Sequence, residues 1–268
     1  MTELDITSTA NPRVKAAAGL RDRRTRDARG LTLVDGAREI RRALAAGIQV
    51  TELFRNPALA VSDDARAALG AAAAAGIVPT TVGPAVFERI AFGDRSDGLV
   101  AVVRTPATTL DRLVLPARPL VVVAEAVEKP GNLGAMLRSA DGAGVDALVA
   151  ADPRTDLFNP NAIRASLGTI FSVPLASATT AATIDWLRAA GIAIVLARVD
   201  GSVPYDTVDY RGPVAIVLGS EALGLGDAWS GPAGAAVRLP MLGIADSLNV
   251  SAAAAILLYE ARRQRGPR

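Results

Sequence analysis

The chain has 268 residues, 50% hydrophobic and 21% charged, a balance that suits a globular protein of one large domain or two ordinary ones. It contains no cysteine and no histidine, which excludes disulfides, thiolate nucleophiles, a Ser-His-Asp triad and imidazole metal sites; no metal is expected. The net charge is only +2, with Lys15 and Lys129 the sole lysines among 29 cations, so the basic isoelectric point is not by itself a sign of nucleic-acid binding.

In chain order, Glu3 and Asp5 precede any apolar run, so no export signal is expected and the location is read as cytoplasmic. Residues 11–30, NPRVKAAAGLRDRRTRDARG, hold seven cations and two acids, either a solvated face or a phosphate-contact surface. A helix there would be basic on several sides. Strands are expected at 31–34, 49–54, 77–82 and 98–103, with helices at 36–46, 63–75 and 84–90. The uncharged run 67–87 is interrupted by glycine and two prolines, which makes a membrane span a poor reading. Residues 105–119, with three prolines and no period, read as a linker between domains 1–105 and 119–268, its core being 106–118.

The second half begins with LVVVAEAV at 120–127, the continuous apolar run of a buried parallel strand. A helix follows, with Leu133, Met136, Leu137 and Ala140 on one face. Strands at 145–150, 192–197, 214–218 and 235–239 alternate with helices at 160–171, 180–190 and 248–264. This alternation predicts an α/β fold with a mostly parallel sheet covered on both faces.

Ligands of such sheets gather beyond the carboxyl ends of the strands. The loop GSEALGLG after 214–218 half-matches a phosphate loop, but Leu225 stands where the lysine belongs, which argues against an ordinary nucleotide-binding enzyme. Asn132 reads as a helix cap and Arg138 as a surface charge when each is taken alone. In DSLNVS (246–251), Asp246 or Ser247 would suffice to cap the last helix, leaving Asn249 without a role.

Taken together, Asn132 to Arg138, Gly219-Ser220-Glu221 with Gly224, and Ser247-Leu248-Asn249-Val250-Ser251 resemble the ordered motifs of the SpoU/TrmH family, RNA ribose 2′-O-methyltransferases of the SPOUT superfamily. NPNAIRASLGTIFSVPL (159–175) is similar to the family's segment between the first two motifs. The stretches NPRVKAAAGLRDRR and LVDGAREIRRAL resemble its N-terminal RNA-recognition domain, with Asp35 in place of a more usual Glu. The resemblance implies a trefoil-knotted C-terminal methyltransferase domain, preceded by a small α/β RNA-recognition domain, and a homodimer. It implies S-adenosylmethionine as cofactor, contacted by Ala197, Gly219, Leu239 and Leu248. It gives catalytic roles to Arg138, Asn132, Glu221, Ser247 and Asn249. Arg13, Lys15, Arg21, Arg23, Arg24 and Arg164 are candidates for RNA contact.

Methyl transfer to a ribose hydroxyl needs in-line placement and a route to an alkoxide, and no metal, thiol or imidazole. Arginine side chains ordinarily titrate at about 12.5–13.8, which favours Arg138 as a charged stabiliser of the alkoxide over Arg138 as a base. The substrate is expected to be 23S ribosomal RNA. The alternatives are a tRNA methyltransferase, an inactive RNA binder of the same fold, or a nucleotide-binding enzyme on an ordinary doubly wound sheet.

Overall fold

A computed structural model describes residues 5–92, 97–220, 222–231 and 234–266. The chain forms two compact units, one of residues 1–106 with Phe158–Ser172, the other of Ala107–Leu157 with residues 173–268.

The first unit opens with two short helices that the basic block conceals. Asn11 accepts a bond from the Arg13 N–H (2.9 Å) and Pro12 starts α1 (Pro12–Gly19); Asp22 accepts from the Thr25 N–H (3.0 Å) at the start of α2 (Arg23–Arg29). Arg26 is buried, its guanidinium donating to the carbonyls of Leu20 and Arg21, so one cation of the block serves the fold. There follow β1 (Leu31–Asp35), α3 (Ala37–Ala45), β2 (Val50–Arg55), α4 (Asp63–Ala74), β3 (Thr80–Thr81), α5 (Pro84–Ile90) and β4 (Leu99–Arg104). The sheet runs β1-β4-β2-β3, antiparallel except for the β2–β3 pair. Its core joins Val14 and Leu20 to Leu33, Phe54, Val86, Phe87, Val100 and Val102. The strand expected over 77–82 is reduced to two residues.

The second unit carries a seven-stranded parallel sheet in the order β7-β6-β5-β10-β8-β11-β9. Its first elements are β5 (Leu120–Glu125), α6 (Pro130–Ala143) and β6 (Ala147–Ala151). The chain then supplies α7 (Pro160–Ala165) to the first unit, where Thr32 Oγ1 donates to the Phe158 carbonyl (2.7 Å). The single helix expected over 160–171 is broken there. Leu167 (φ 53°) and Gly168 (φ 82°) take left-handed conformations, and a 3₁₀ turn continues over Thr169–Phe171. Back in the second unit come β7 (Leu175–Ala178), α8 (Thr180–Ala189), β8 (Ala193–Ala197), β9 (Val203–Pro204), β10 (Val214–Leu218), β11 (Gly234–Arg238) and α9 (Val250–Arg265). The strands β7 and β9 have no counterpart in the sequence pattern, being too short to show a period. Leu110, Leu113 and Leu115 of the proline-rich segment pack against this unit's core, and Thr108 accepts a bond from the Ser177 N–H. The helices α6 and α9 lie close enough that a Cβ on Gly142 would meet Tyr259 Oη at 2.7 Å. Among the described residues, no helix is long and apolar enough to cross a membrane, and no group of three or more carboxylates could hold a metal ion.

One buried cluster in the first unit titrates. Asp35, at the end of β1, is 4% exposed; its Oδ2 accepts from the Phe92 N–H and lies 3.7 Å from Arg164, while Oδ1 has no hydrogen-bond partner among the described residues. Burial pushes its pKa up to about 6, against the lowering effects of the Phe92 N–H and Arg164. Glu39, buried beside it, is also pushed up, chiefly by burial. A raised carboxylate pKa means that the folded state holds the proton more tightly than the unfolded chain does. The contribution of Asp35 is therefore most favourable below about pH 4 and is lost as pH rises through about 6, an effect of about 3 kcal/mol at most. Urea unfolding of wild type and Asp35→Asn checks this: the variant is expected to gain on wild type between about pH 4.5 and about pH 7. An unchanged difference at the two pH values would refute it.

Candidate functional site

The candidate site lies along the carboxyl edge of the parallel sheet, where β5, β10, β8 and β11 end side by side. Leu218 pairs with both Ala124 and Ala197, which places Gly219, the next residue, between the ends of β5 and β8. Ala197 pairs in turn with Val237, so Leu239 leaves the sheet one strand further along. Sheet register alone thus assembles Ala197, Gly219 and Leu239.

The loop after β10 is folded tightly on itself. Ser220 and Gly224 exchange backbone hydrogen bonds (3.0 and 3.1 Å), and Ser220 Oγ accepts from the Leu223 N–H (3.1 Å). A Cβ on Gly219 would stand 2.1 Å from the Gly224 carbonyl carbon, so the first glycine is required by close approach of backbone to backbone. Gly224 has φ 68° and open space around it, which meets the need for a left-handed turn. Glu221 lies outside the described residues.

The start of α9 answers the question of Asn249. It is the N-cap, with Oδ1 accepting from the Ser251 N–H (2.9 Å) and from Ser251 Oγ (2.6 Å). Its Nδ2 donates to Asn132 Oδ1 at 3.1 Å. The oxygen and the nitrogen divide the work: one end of the amide caps the helix while the other ties α9 to α6. Asn132 itself is the third residue of α6, whose N-cap is Lys129, so the cap expected at Asn132 is not formed there. Neither Asp246 nor Ser247 caps the last helix, which begins at Val250 and not at 248.

Arg138 is exposed on α6, and its side chain makes no hydrogen bond or ion pair among the described residues. Ser247 and Leu248 belong to an exposed run, 242–249, in which Leu242, Ile244 and Leu248 present apolar side chains to solvent. The structure thus brings Asn132 and Asn249 into contact. It leaves Arg138 and Ser247 with uncommitted side chains among the described residues.

A further residue is concealed by its setting. Glu125, the last residue of β5, is 7% exposed; Oε1 accepts from Thr180 Oγ1 (3.0 Å) and Oε2 from the Gly226 N–H (2.8 Å). It fastens the far end of the glycine loop to the start of α8. The only sequence signal is a carboxylate closing an otherwise apolar strand, a place where a charge is costly without partners. Next to it, Ala126 takes φ 50°, a strained conformation for a residue with a Cβ at the mouth of the site.

The candidate RNA contacts lie in the first unit. Lys15, Arg21 and Arg89 line a cleft of about 620 Å³ together with Glu88. Arg21 donates to the Ala91 carbonyl, and its guanidinium sits 5.9 Å from the Phe92 ring centre. Arg13 is paired with Glu52 and Thr80, and Arg23 lies 3.6 Å from Asp27; Arg24 is exposed. Arg164 donates to the Phe92 carbonyl (2.9 Å) beside Asp35, so its charge is directed into its own unit.

Comparison with known proteins matches two parts of the chain. Residues 119–259 match the SpoU rRNA Methylase family, and residues 11–101 match the MRM3-like substrate binding domain. A 23S rRNA (uridine(2479)-2′-O)-methyltransferase of Streptomyces viridochromogenes is 34% identical, over 94% of this chain and 88% of its own. Among solved structures, an RNA 2′-O ribose methyltransferase superposes with a TM-score of 0.86 at 41% identity, covering 97% of this chain and 98% of that one. An AdoMet-bound rRNA methyltransferase from Sinorhizobium meliloti gives 0.85 at 32% identity, over 96% and 97%. With both domain matches in order along it, the chain belongs to the SpoU rRNA Methylase family.

Proposed function

We propose that the protein transfers a methyl group from S-adenosylmethionine to a ribose 2′-oxygen of large-subunit ribosomal RNA. The observation that carries this reading is the Asn249–Asn132 hydrogen bond, which joins the first and last family motifs across the carboxyl edge of the sheet. The donor set fits the cofactor. A sulfonium amino acid linked to a nucleoside needs no phosphate cradle, and the loop after β10 offers backbone at Gly219 instead of a lysine. The bound cofactor would supply an electrophilic methyl group. Backbone groups at Ala197, Gly219, Leu239 and Leu248 would hold it. Arg138, charged and uncommitted, would stabilise the developing alkoxide and the neighbouring phosphate. Asn132, Glu221, Ser247 and Asn249 would share the task of orienting the ribose.

Lys15 and Arg24 are the exposed basic side chains of this set without a partner among the described residues, and with them Arg13, Arg21, Arg23 and Arg164, which have partners of their own, would meet RNA from the first unit. The reading includes a trefoil knot, a cytoplasmic location and a homodimer. The exposed apolar side chains Leu248, Ile256 and Tyr259 on and before α9 suit a dimer contact, and light scattering in solution should return twice the chain mass.

The deciding experiment is labelled-methyl transfer to unmodified ribosomal RNA and tRNA, followed by digestion to nucleosides. Label on a 2′-O-methylribose from 23S RNA is expected. Transfer to tRNA alone would replace the substrate, and no transfer despite cofactor binding would overturn the enzymatic reading. Glu125→Ala leaves the Gly226 N–H and the Thr180 hydroxyl without their acceptor, at a cost of about 2–4 kcal/mol. It is expected to weaken cofactor binding by about tenfold or more through the loosened loop, checked by calorimetric titration; unchanged affinity would deny Glu125 that positioning role.

A further inference from the structure

The opposite, amino edge of the same sheet carries a second basic feature. A cleft of about 640 Å³ opens there, lined by Arg118 before β5, Asp146 before β6, Arg211 before β10, and Arg262 and Arg265 at the end of α9. The arginines differ in how they are held. Arg265 is a structural post: Nε donates to the Tyr210 carbonyl (2.8 Å), Nη1 to Arg118 (2.8 Å), and Nη2 to Pro119 (3.0 Å) and Gly212 (2.5 Å). Arg211 is bound in a two-pronged pair to Asp209 (2.8 and 3.0 Å). Asp146 accepts from the Leu120 N–H (2.8 Å). The side chains of Arg118 and Arg262 make no hydrogen bond or ion pair among the described residues.

Cations near the end of a helix are favoured by its dipole, which accounts for Arg262 on α9. It does not account for Arg118, which is on no helix yet lines the same cleft. Four arginines and one aspartate line the cleft, so it attracts an anion, and Arg118 and Arg262 are the two whose guanidinium donors are uncommitted. Guanidinium donors match phosphate oxygens in pairs, and the cleft is far larger than one phosphate, large enough for a stretch of sugar–phosphate chain.

We propose that Arg118 and Arg262 form a phosphodiester-binding site for the RNA backbone, on the edge of the methyltransferase unit away from the methyl-transfer site. The inference rests on the RNA-methyltransferase reading for its ligand. Its function would be to hold a second segment of a folded RNA, adding affinity without reading sequence.

The test is the salt dependence of 23S RNA binding, measured by filter retention for wild type, Arg118→Ala/Arg262→Ala and Arg263→Ala. Arg263 lies on the same helix outside the cleft lining and controls for the loss of one charge there, the loss made by Arg118→Ala or Arg262→Ala singly. Loss of two phosphate contacts is expected to reduce the slope of log K against log salt by about 1.4–1.8 and affinity by about tenfold, with no change for Arg263→Ala. Methyl transfer should show a raised KM for RNA with kcat and cofactor affinity retained. Unchanged slope and affinity would overturn the proposal, as would loss of inorganic phosphate binding alone, which would mark a free-anion site. If the double variant fails to fold, Arg118→Gln alone, at an exposed loop position, should lower the slope by about half as much. Because binding is read without turnover, failure of the enzymatic reading would appear separately, as wild type that binds RNA but transfers no methyl group.

Discussion

Arg138→Ala is expected to lower the rate of methyl transfer by about 10³-fold while leaving cofactor affinity within about twofold of wild type. The split follows from where the side chain stands. It is exposed on α6 and engages no other described side chain, so its removal breaks nothing in the fold. Its value lies in the transition state, where charge develops on the ribose oxygen, and an interaction made only there lowers kcat without weakening ground-state binding. Arg138→Lys measures how much of the role needs the guanidinium itself. A stabilising charge is partly replaced by an ammonium group, though without the paired donors of a guanidinium. Single-turnover transfer and calorimetric cofactor binding on the same preparations decide the matter. Full activity in Arg138→Ala would remove Arg138 from the reaction altogether.

Gly219→Ala should produce the second large effect, of the opposite kind. The added Cβ would lie 2.1 Å from the Gly224 carbonyl carbon and 2.3 Å from the Leu225 nitrogen, distances at which backbone must move. The loop cannot yield cheaply, because the Ser220–Gly224 hydrogen bonds close it and Glu125 holds its far end through Gly226. Cofactor affinity is expected to fall by about 100-fold, with a stability loss of about 1–3 kcal/mol from the displaced backbone. Gly212→Ala is the control: nothing lies within 4 Å of its Cβ position, and it should behave as wild type. Cofactor titration of both variants, with thermal melting to confirm folding, checks the difference. Wild-type affinity in Gly219→Ala would mean that the glycine loop does not touch the cofactor.

The two variants also differ in how far they could be anticipated. Gly219 sits in a motif, and the Leu218 register that fixes its place follows from an apolar run that only a buried parallel strand explains. The strands β5, β8 and β10 are legible for the same reason, and so is α6, whose buried positions repeat at helical spacing. Where pattern is thin, it fails. The helices α1 and α2 bury little besides Val14, Ala17 and Arg26; β7 and β9 are too short for a period. The break at Leu167–Gly168 depends on chain packing around Glu39, which a Cβ on Gly168 would meet at 3.0 Å.

The sequence by itself determined the α/β class, the parallel sheet of the second half, the absence of thiol and imidazole chemistry, and the motif residues that mark the family. Tertiary structure decided the partnerships. Asn249 reaches Asn132 across 117 positions, Glu125 reaches Gly226 across 101, and Arg164 reaches Phe92 across 72. Propensity and periodicity are local properties, carried by a few turns or strands of chain. A hydrogen bond between distant residues exists only after the sheet order has brought its ends together, and nothing in either neighbourhood encodes that meeting.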